Sequence, residues 1–157
     1  MLSVSKRFLI IIFINFIDHS LAGFLSHFLI ILPLTFLTYS FYVYKSYDNI
    51  GAQEAFLFGL LIDFISDSYF GLNAIIFCLT TYVINLYANA FKLFSYIQMC
   101  LFFGFLSTAY VGFTQLVINL YNFSYLTLLI SSISNIILCI LIAIISPYFP
   151  KIIRKRI

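Results

Sequence analysis

The residues of this chain that could do chemistry are few, and the most informative group falls inside an apolar segment. Gly59, Asp63 and Asp67 are spaced four residues apart, so a helix would place them on one face, with Ser66 beside them. Asp63 lies ~14 Å along such a helix from Glu54, at 1.5 Å per residue. At that depth in a bilayer, an ionised carboxylate costs at least about 2.5–3.5 kcal/mol. We therefore expect Asp63 to face protein, where it would either bind a proton or ion or fix helix packing through hydrogen bonds.

A second polar group, formed by Asn15, Asp18 and His19, lies in the first apolar segment. A histidine beside an aspartate can relay protons; the alternative is that these residues are solvated or paired near a membrane interface. The sequence contains no Walker loop, nucleophile elbow, zinc-protease motif or C-x-x-C pair, and its three cysteines lie in apolar runs. These observations predict that the chain is not an enzyme and holds neither a cofactor nor a metal.

Composition indicates the solvent that surrounds these residues. Hydrophobic residues make up 64% of the chain and charged residues 8%, whereas an average soluble domain is about 25% charged. A globule with so few charges would expose large apolar patches to water. The basic residues lie at the ends of the apolar runs. A nucleic-acid-binding protein would instead place them along one face with aromatic residues between them, so the sequence argues against nucleic acid as a partner. The sequence therefore predicts an integral membrane protein.

Run lengths predict an all-α integral membrane protein with six transmembrane helices in a single polytopic domain over residues 1–157. The predicted spans are 8–24, 28–44, 55–66, 72–90, 95–119 and 125–149. Long continuous apolar runs are typical of helices, which satisfy their own backbone hydrogen bonds in hydrocarbon. They lack the alternation of polar and apolar residues that marks barrel strands.

The basic residues also predict the orientation of these spans. With the N-terminus in the cytoplasm, all eight Lys and Arg residues fall on the cytoplasmic side, and both termini are cytoplasmic. One alternative stays open. The third and fourth runs could form a re-entrant hairpin, which returns the chain to the same side without a full crossing.

Small and polar residues recur every four positions in the later segments. These stripes are Thr81, Asn85 and Asn89; Gly104, Thr108 and Gly112; and Ser131, Asn135 and Cys139. Small residues at this spacing let helix backbones approach closely, and amide side chains bridge between helices. The stripes predict helix contacts, either within the chain or with a partner.

The segment 59–72, GLLIDFISDSYFGL, resembles the third helix of the rod shape-determining protein MreD family. The family pattern there is G-x-x-x-D-hydrophobic-x-S-x-S-x-x-G-hydrophobic. The resemblance continues through Asn73 and Tyr82, and Pro33 before an aromatic-rich second segment fits as well. Chain length and the number of segments also match. Asp67 departs from the pattern, because relatives commonly carry glycine there.

The resemblance implies a non-catalytic, multi-pass subunit of the bacterial cell inner membrane that acts in the cell-wall elongation complex. It implies a scaffold for an MreC-like membrane protein, alongside MreB and a glycosyltransferase and transpeptidase pair for side-wall peptidoglycan synthesis, with membrane lipid around it. The residues expected to serve partner binding or helix packing are Gly59, Asp63, Ser66, Asp67, Gly71, Asn73 and Tyr82.

A second function class follows from the same resemblance, because the family is similar in fold to the substrate-binding subunits of energy-coupling factor vitamin transporters. The chain would then be a small-molecule-binding membrane subunit of a transporter. This alternative predicts a pocket near the polar residues of the first and third segments. Those residues are Asn15, Asp18, His19 and Asp63.

Overall fold

The computed structural model describes residues 4–45, 50–66, 69–91, 93–118 and 124–145, which are helical apart from short connections. The helices are α1 (Val4–Ser26), α2 (Leu34–Lys45), α3 (Ala52–Ile65), α4 (Leu72–Leu86), α5 (Ala88–Phe91), α6 (Tyr96–Ile118) and α7 (Tyr125–Ile145). These ranges contain no strand, so the all-α prediction is confirmed for the described part of the chain.

The helices differ in their capacity to cross a membrane. Within the described residues, two stretches are long and apolar enough to do so, Phe8–Ser26 and Ile97–Ile118. Helices α2, α3 and α4 have 12, 14 and 15 residues, or ~18–22 Å at 1.5 Å per residue, against a hydrocarbon core of ~30 Å. In a bilayer, some ends of these shorter helices would lie where water cannot satisfy the backbone. Their terminal N–H and C=O groups therefore need partners within the protein.

The outward faces of the helices are apolar. Phe16 on α1 is 73% exposed, Phe64 on α3 is 79% exposed, and Phe70 just before α4 is 78% exposed. Large apolar patches of this kind are avoided on water-soluble monomers, whereas lipid solvates them. The surface therefore fits the membrane environment that composition predicts.

The second apolar segment was predicted to be one helix over residues 28–44, and the structure differs from this prediction. The chain instead forms a turn and a short stretch without regular secondary structure, the α1–α2 linker (residues 27–33), before α2 begins at Leu34. Leu29 in this linker has a φ of 59°. Pro33 explains the late start of α2, because proline disfavours helical dihedrals at the residue before it and suits the first turn of a helix.

Other boundaries also differ from the predicted ones. The segment predicted as one helix over 72–90 is divided at Tyr87 into α4 and α5. Helix α3 begins at Ala52, three residues before the predicted span, so that the polar Gln53 and Glu54 form its first turn. An acidic residue in the first turn favours this early start, because it complements the positive end of the helix dipole.

The bundle contains two closely packed helix pairs, α3 with α4 and α6 with α7, and α2 contacts both α4 and α6. A Cβ atom at Gly104 would lie 3.4 Å from the Cα of Ile136, and one at Gly112 would lie 3.2 Å from a methyl group of Leu128. The glycines of the α6 stripe therefore let α6 approach α7, and this stripe makes a contact within the chain.

Aromatic side chains join α2, α4 and α6 in the core. Tyr39 stacks on Phe77 with ring centroids 4.2 Å apart, and Phe36 stacks on Tyr110 at 4.4 Å. The buried Tyr39 hydroxyl shares a hydrogen bond of 2.6 Å with the hydroxyl of Thr81, a member of the α4 stripe. Stacked pairs of this kind contribute about 0.5–1.5 kcal/mol beyond the area that they bury.

Candidate functional site

Asp63 lies in the last turn of α3 and binds the beginning of α4. Its Oδ2 accepts hydrogen bonds from the backbone N–H of Gly71 at 2.9 Å and of Ala74 at 3.4 Å, and its Oδ1 accepts one from Asn73 at 3.0 Å. Gly71 is the N-cap of α4, so these are N–H groups that an α-helix leaves without intrahelical partners. The positive end of the helix dipole also favours a carboxylate at this place. Asp63 is therefore an N-terminal cap that a neighbouring helix supplies.

Gly59, one turn before Asp63, sets the distance between these helices. A Cβ atom built on Gly59 would overlap the Cα of Ala74 and lie 2.7 Å from the backbone carbonyl carbon of Asn73. Only glycine allows the backbones to meet so closely. Gly71 contributes in another way, because its φ of 93° is a left-handed conformation that favours glycine.

Asn73 connects this helix pair to α6. The Tyr110 hydroxyl donates a hydrogen bond of 2.6 Å to the Asn73 Oδ1, and the Tyr110 ring lies against Phe36 of α2. Asn73 is 4% exposed, so its amide oxygen would be costly to leave without a partner. The first turn of α4 is thus held from two sides, by a carboxylate and by a phenol.

A second carboxylate caps α2 in the same manner. The Asp18 Oδ2, from α1, accepts a hydrogen bond from the backbone N–H of Thr35 at 3.0 Å and another from the Thr35 hydroxyl at 2.8 Å. Thr35 lies in the first turn of α2. One turn earlier on α1, the Asn15 amide donates to the Ser66 hydroxyl, 3.2 Å away, at the end of α3. These contacts tie α1 to α2 and to α3.

Helix α7 supplies partners for the α1–α2 linker through its polar stripe. The Ile31 backbone N–H donates to the Ser131 hydroxyl at 2.9 Å, and the Asn135 amide donates to the Ile31 carbonyl at 3.4 Å. Non-helical backbone is tolerated at membrane depth only where protein satisfies it. The stripe of α7 therefore makes contacts within the chain, as the stripe of α6 does.

A cavity of about 390 Å³ lies among these contacts. It sits at the end of the bundle where α1, α3 and α6 finish and where α2 and α4 begin. Its polar lining comes from Asn15, Asp18, His19, Ser26, Thr35, Ser66, Asn73, Tyr110, Thr114 and Gln115. The remaining wall is largely aliphatic and aromatic, and it includes the linker residues Ile30, Ile31, Leu32 and Pro33. We name this space the polar cavity.

The structure brings most of the predicted site residues together at this end of the bundle. Gly59, Asp63, Gly71 and Asn73 meet at the contact of α3 with α4; Asn15, Asp18 and His19 line the polar cavity, and Ser66 joins the two groups. Tyr82 is separate from them, because it lies further along α4 and is 65% exposed. Asp67 lies outside the described residues.

Sequence reasoning missed Thr35, Tyr110 and Thr114 as parts of the site. A signal for the position of Thr35 was present, because Pro33, two residues earlier, is typical of the start of a helix. Tyr110 carried no such signal, since one tyrosine among twelve in the sequence does not indicate which amide it contacts.

The described residues also allow a test for metal ligands. Across residues 4–45, 50–66, 69–91, 93–118 and 124–145, no three His, Cys, Asp or Glu side chains lie close enough together to hold a metal ion. None of the three cysteines, all of which lie in the described residues, forms a disulfide. The carboxylates that could act as ligands, Asp18 and Asp63, instead accept backbone hydrogen bonds.

Together, the apolar exterior and these internal contacts define a membrane protein that is helical in its described residues apart from short connections. Its carboxylates, Asp63 buried and Asp18 half-buried, cap helices of the same chain. A family model described as rod shape-determining protein MreD matches residues 3–148 of the chain. The chain therefore belongs to the MreD family, as its third helix predicted. This is a family of shape-determining membrane proteins within the MreBCD system, and it is not a known enzyme family. Comparisons with curated proteins and with solved structures found no match.

Proposed function

We propose that the chain is a non-catalytic scaffold of the cell-wall elongation complex in the bacterial inner membrane. There it holds an MreC-like membrane protein beside MreB and the enzymes that extend side-wall peptidoglycan. Family membership supports the kind of partner. The observation that carries the proposal is the locked pair of α3 and α4, in which Gly59 gives close contact and Asp63 caps the second helix. A preorganised helix pair suits a scaffold, because less ordering is then required when a partner binds.

Exposure divides the predicted partner-binding residues into two groups. Gly59, Asp63 and Asn73 are buried in contacts within the chain, so their role in the proposal is to fix the shape of the surface. Tyr82 is 65% exposed on α4, and tyrosine is enriched at protein interfaces. We assign direct partner contact to the face of α4 that carries Tyr82.

The proposed topology has six spans with both termini in the cytoplasm, and α3 and α4 both cross the membrane. The distribution of Lys and Arg supports this orientation. A Ser68→Cys substitution in a chain whose three native cysteines are replaced tests it by labelling with an impermeant maleimide. Labelling from the outside of intact cells supports crossing. Labelling that requires access from the cytoplasm supports the re-entrant alternative.

Affinity purification of the tagged chain from native membranes tests the scaffold function. We expect cell-wall elongation proteins, and an MreC-like protein in particular, to accompany the wild-type chain. Asp63→Ala should reduce this co-purification and give rounded cells, because α4 loses its cap. Asp48→Ala, which removes a carboxylate from the polar segment between α2 and α3, serves as the control. Normal rods and undiminished co-purification with Asp63→Ala would count against the proposal.

The transporter-subunit alternative has one observation in its favour. The polar cavity includes Asn15, Asp18 and His19, three of the four residues near which that alternative predicts a pocket. The same affinity purification distinguishes the scaffold function from the transporter function. An ATPase module without cell-wall proteins would support a transporter subunit, whereas cell-wall proteins without an ATPase module would support the scaffold.

A further inference from the structure

The scaffold function leaves the polar cavity without a role. We propose that the polar cavity binds a molecule or lipid headgroup that is uncharged overall or cationic and that donates hydrogen bonds through hydroxyl, amide or ammonium groups. Its volume of about 390 Å³ falls in the range of roughly 300–1,000 Å³ found for small-molecule sites. Such sites combine apolar walls with a few convergent polar groups, and the lining of this cavity has both.

Acceptor atoms indicate that the bound group is a donor. The Tyr110 hydroxyl donates its hydrogen bond to the Asn73 side chain, and the Thr114 hydroxyl donates one to the backbone carbonyl of Tyr110, 3.0 Å away. The proton of each hydroxyl is therefore already used. The oxygen atoms of both hydroxyls keep lone pairs that can accept. Asp18 also lines the cavity, and its carboxylate offers only acceptors when ionised. A hydroxyl or ammonium group matches these three acceptors, whereas a ligand that only accepts brings no donor to any of them.

The charges around the cavity disfavour an anion. Among the described residues, its lining includes the carboxyl group of Asp18 and the imidazole of His19 but no lysine or arginine. Helix N-termini are the usual alternative for binding phosphate. Here the N-termini of α2 and α4 are already occupied by Asp18 and Asp63. A phosphate monoester would therefore meet the acceptor oxygens of Asp18 and would find both helix ends filled.

The position of the cavity mouth allows a ligand of this kind to enter either from the membrane or from solution. Among the described residues of the lining, the exposed ones are His19, Ala22 and Ser26 on α1 and Ile118 on α6. The mouth thus lies at the C-terminal ends of two long apolar helices, where a lipid headgroup and a dissolved molecule both have access. Ile30 and Leu32 give the wall a hydrocarbon surface that suits the less polar part of either.

Native mass spectrometry of the full chain tests the lipid source. The protein is released from nanodiscs that contain phosphatidylethanolamine, phosphatidylglycerol and a glucosyl diacylglycerol. We expect the wild type to retain the ethanolamine or glucosyl lipid in preference to phosphatidylglycerol. Ala22→Phe fills the mouth and should abolish retention. Ala109→Phe, at an exposed alanine of α6 that does not line the cavity, should leave it unchanged.

A second measurement tests the dissolved source and guards against misfolding. Extraction of protein purified from native membranes would release a small hydroxylated or amine-bearing molecule, absent from Ala22→Phe. Thr114→Val removes an acceptor without adding bulk and should weaken retention of the same molecule. Three results would overturn the proposal. They are retention of phosphatidylglycerol alone, no bound molecule in either measurement, and retention in both Ala22→Phe and Thr114→Val that equals retention in the wild type. None of these results depends on partner co-purification, so they are separate from the test of the scaffold.

Discussion

The Asp63 carboxylate accepts a hydrogen bond of 3.0 Å from the backbone N–H of Asn73, ten residues further along the chain. In most helices the N-cap side chain belongs to the residue at the helix start. Gly71 occupies that position in α4 and has no side chain to contribute, so the preceding helix supplies the acceptor. The stability of the beginning of α4 therefore depends on how closely α3 is packed against it.

Loss of the Asp63 cap should destabilise the folded chain. Asp63→Ala leaves three backbone N–H groups of α4 without this acceptor, and an unsatisfied buried donor costs about 1–3 kcal/mol. Because two of these three N–H groups, those of Asn73 and Ala74, are buried, we expect a loss of about 2–6 kcal/mol in the free energy of unfolding. The loss should be smaller for Asp63→Asn, which keeps one acceptor oxygen. The buried thiols of Cys100 and Cys139 allow the unfolding midpoint in detergent to be followed with a thiol-reactive dye. An unchanged midpoint in Asp63→Ala would refute the capping role.

Two glycines provide a matched comparison for helix contact. A Cβ atom at Gly59 overlaps the α4 backbone, whereas one at Gly23 on α1 has nothing within 4 Å. Gly59→Ala should cost about 1–3 kcal/mol, as overpacking does. Gly23→Ala should be neutral or stabilise by up to about 1 kcal/mol, because alanine favours the helix. The prediction fails if the unfolding midpoints of the two variants change equally.

The bond between Tyr110 and Asn73 should appear as a coupling energy. Tyr110→Phe removes the donor hydroxyl, and Asn73→Leu removes the acceptor at 2.6 Å. Because a hydrogen bond contributes about 0.5–1.5 kcal/mol net, a double-mutant cycle should give a coupling of that size. Tyr82→Phe is the control, since the Tyr82 side chain is 65% exposed. Strict additivity of the two single variants would show that the bond contributes nothing to stability.

Tyr82 should affect partner binding without affecting stability. Its exposure on α4 means that Tyr82→Ala removes no core packing, so the unfolding midpoint should stay within about 0.5 kcal/mol of wild type. Co-purification of the MreC-like protein should fall if this face contacts the partner. Ile133→Ala on α7, at a side chain that is 57% exposed, is the matched control. Equal recovery of the partner with both variants would move the contact to another face.

The sequence could predict that the chain is a membrane protein, that it is helical and that it belongs to its family. Each of these depends on composition or on the spacing of nearby residues, and none requires knowledge of how the helices pack. Thirteen charged residues among 157 exclude a water-exposed surface, whatever the fold. The spacing of Gly59 and Asp63 places them on one helical face, and the fourteen-residue segment that contains them resembles one family. The position of Pro33 could also have predicted the late start of α2.

Only the tertiary structure decided which groups these residues contact. The Asn15 amide meets a hydroxyl 51 residues away, and the Asn135 amide meets a carbonyl 104 residues away. Such pairs depend on how helices pack and not on their spacing in the sequence. The sequence by itself thus determined that buried polar groups must find partners, because hydrocarbon penalises them everywhere. Packing decided that Asp18 and Asp63 cap helices of their own chain and that a polar cavity lies beside them.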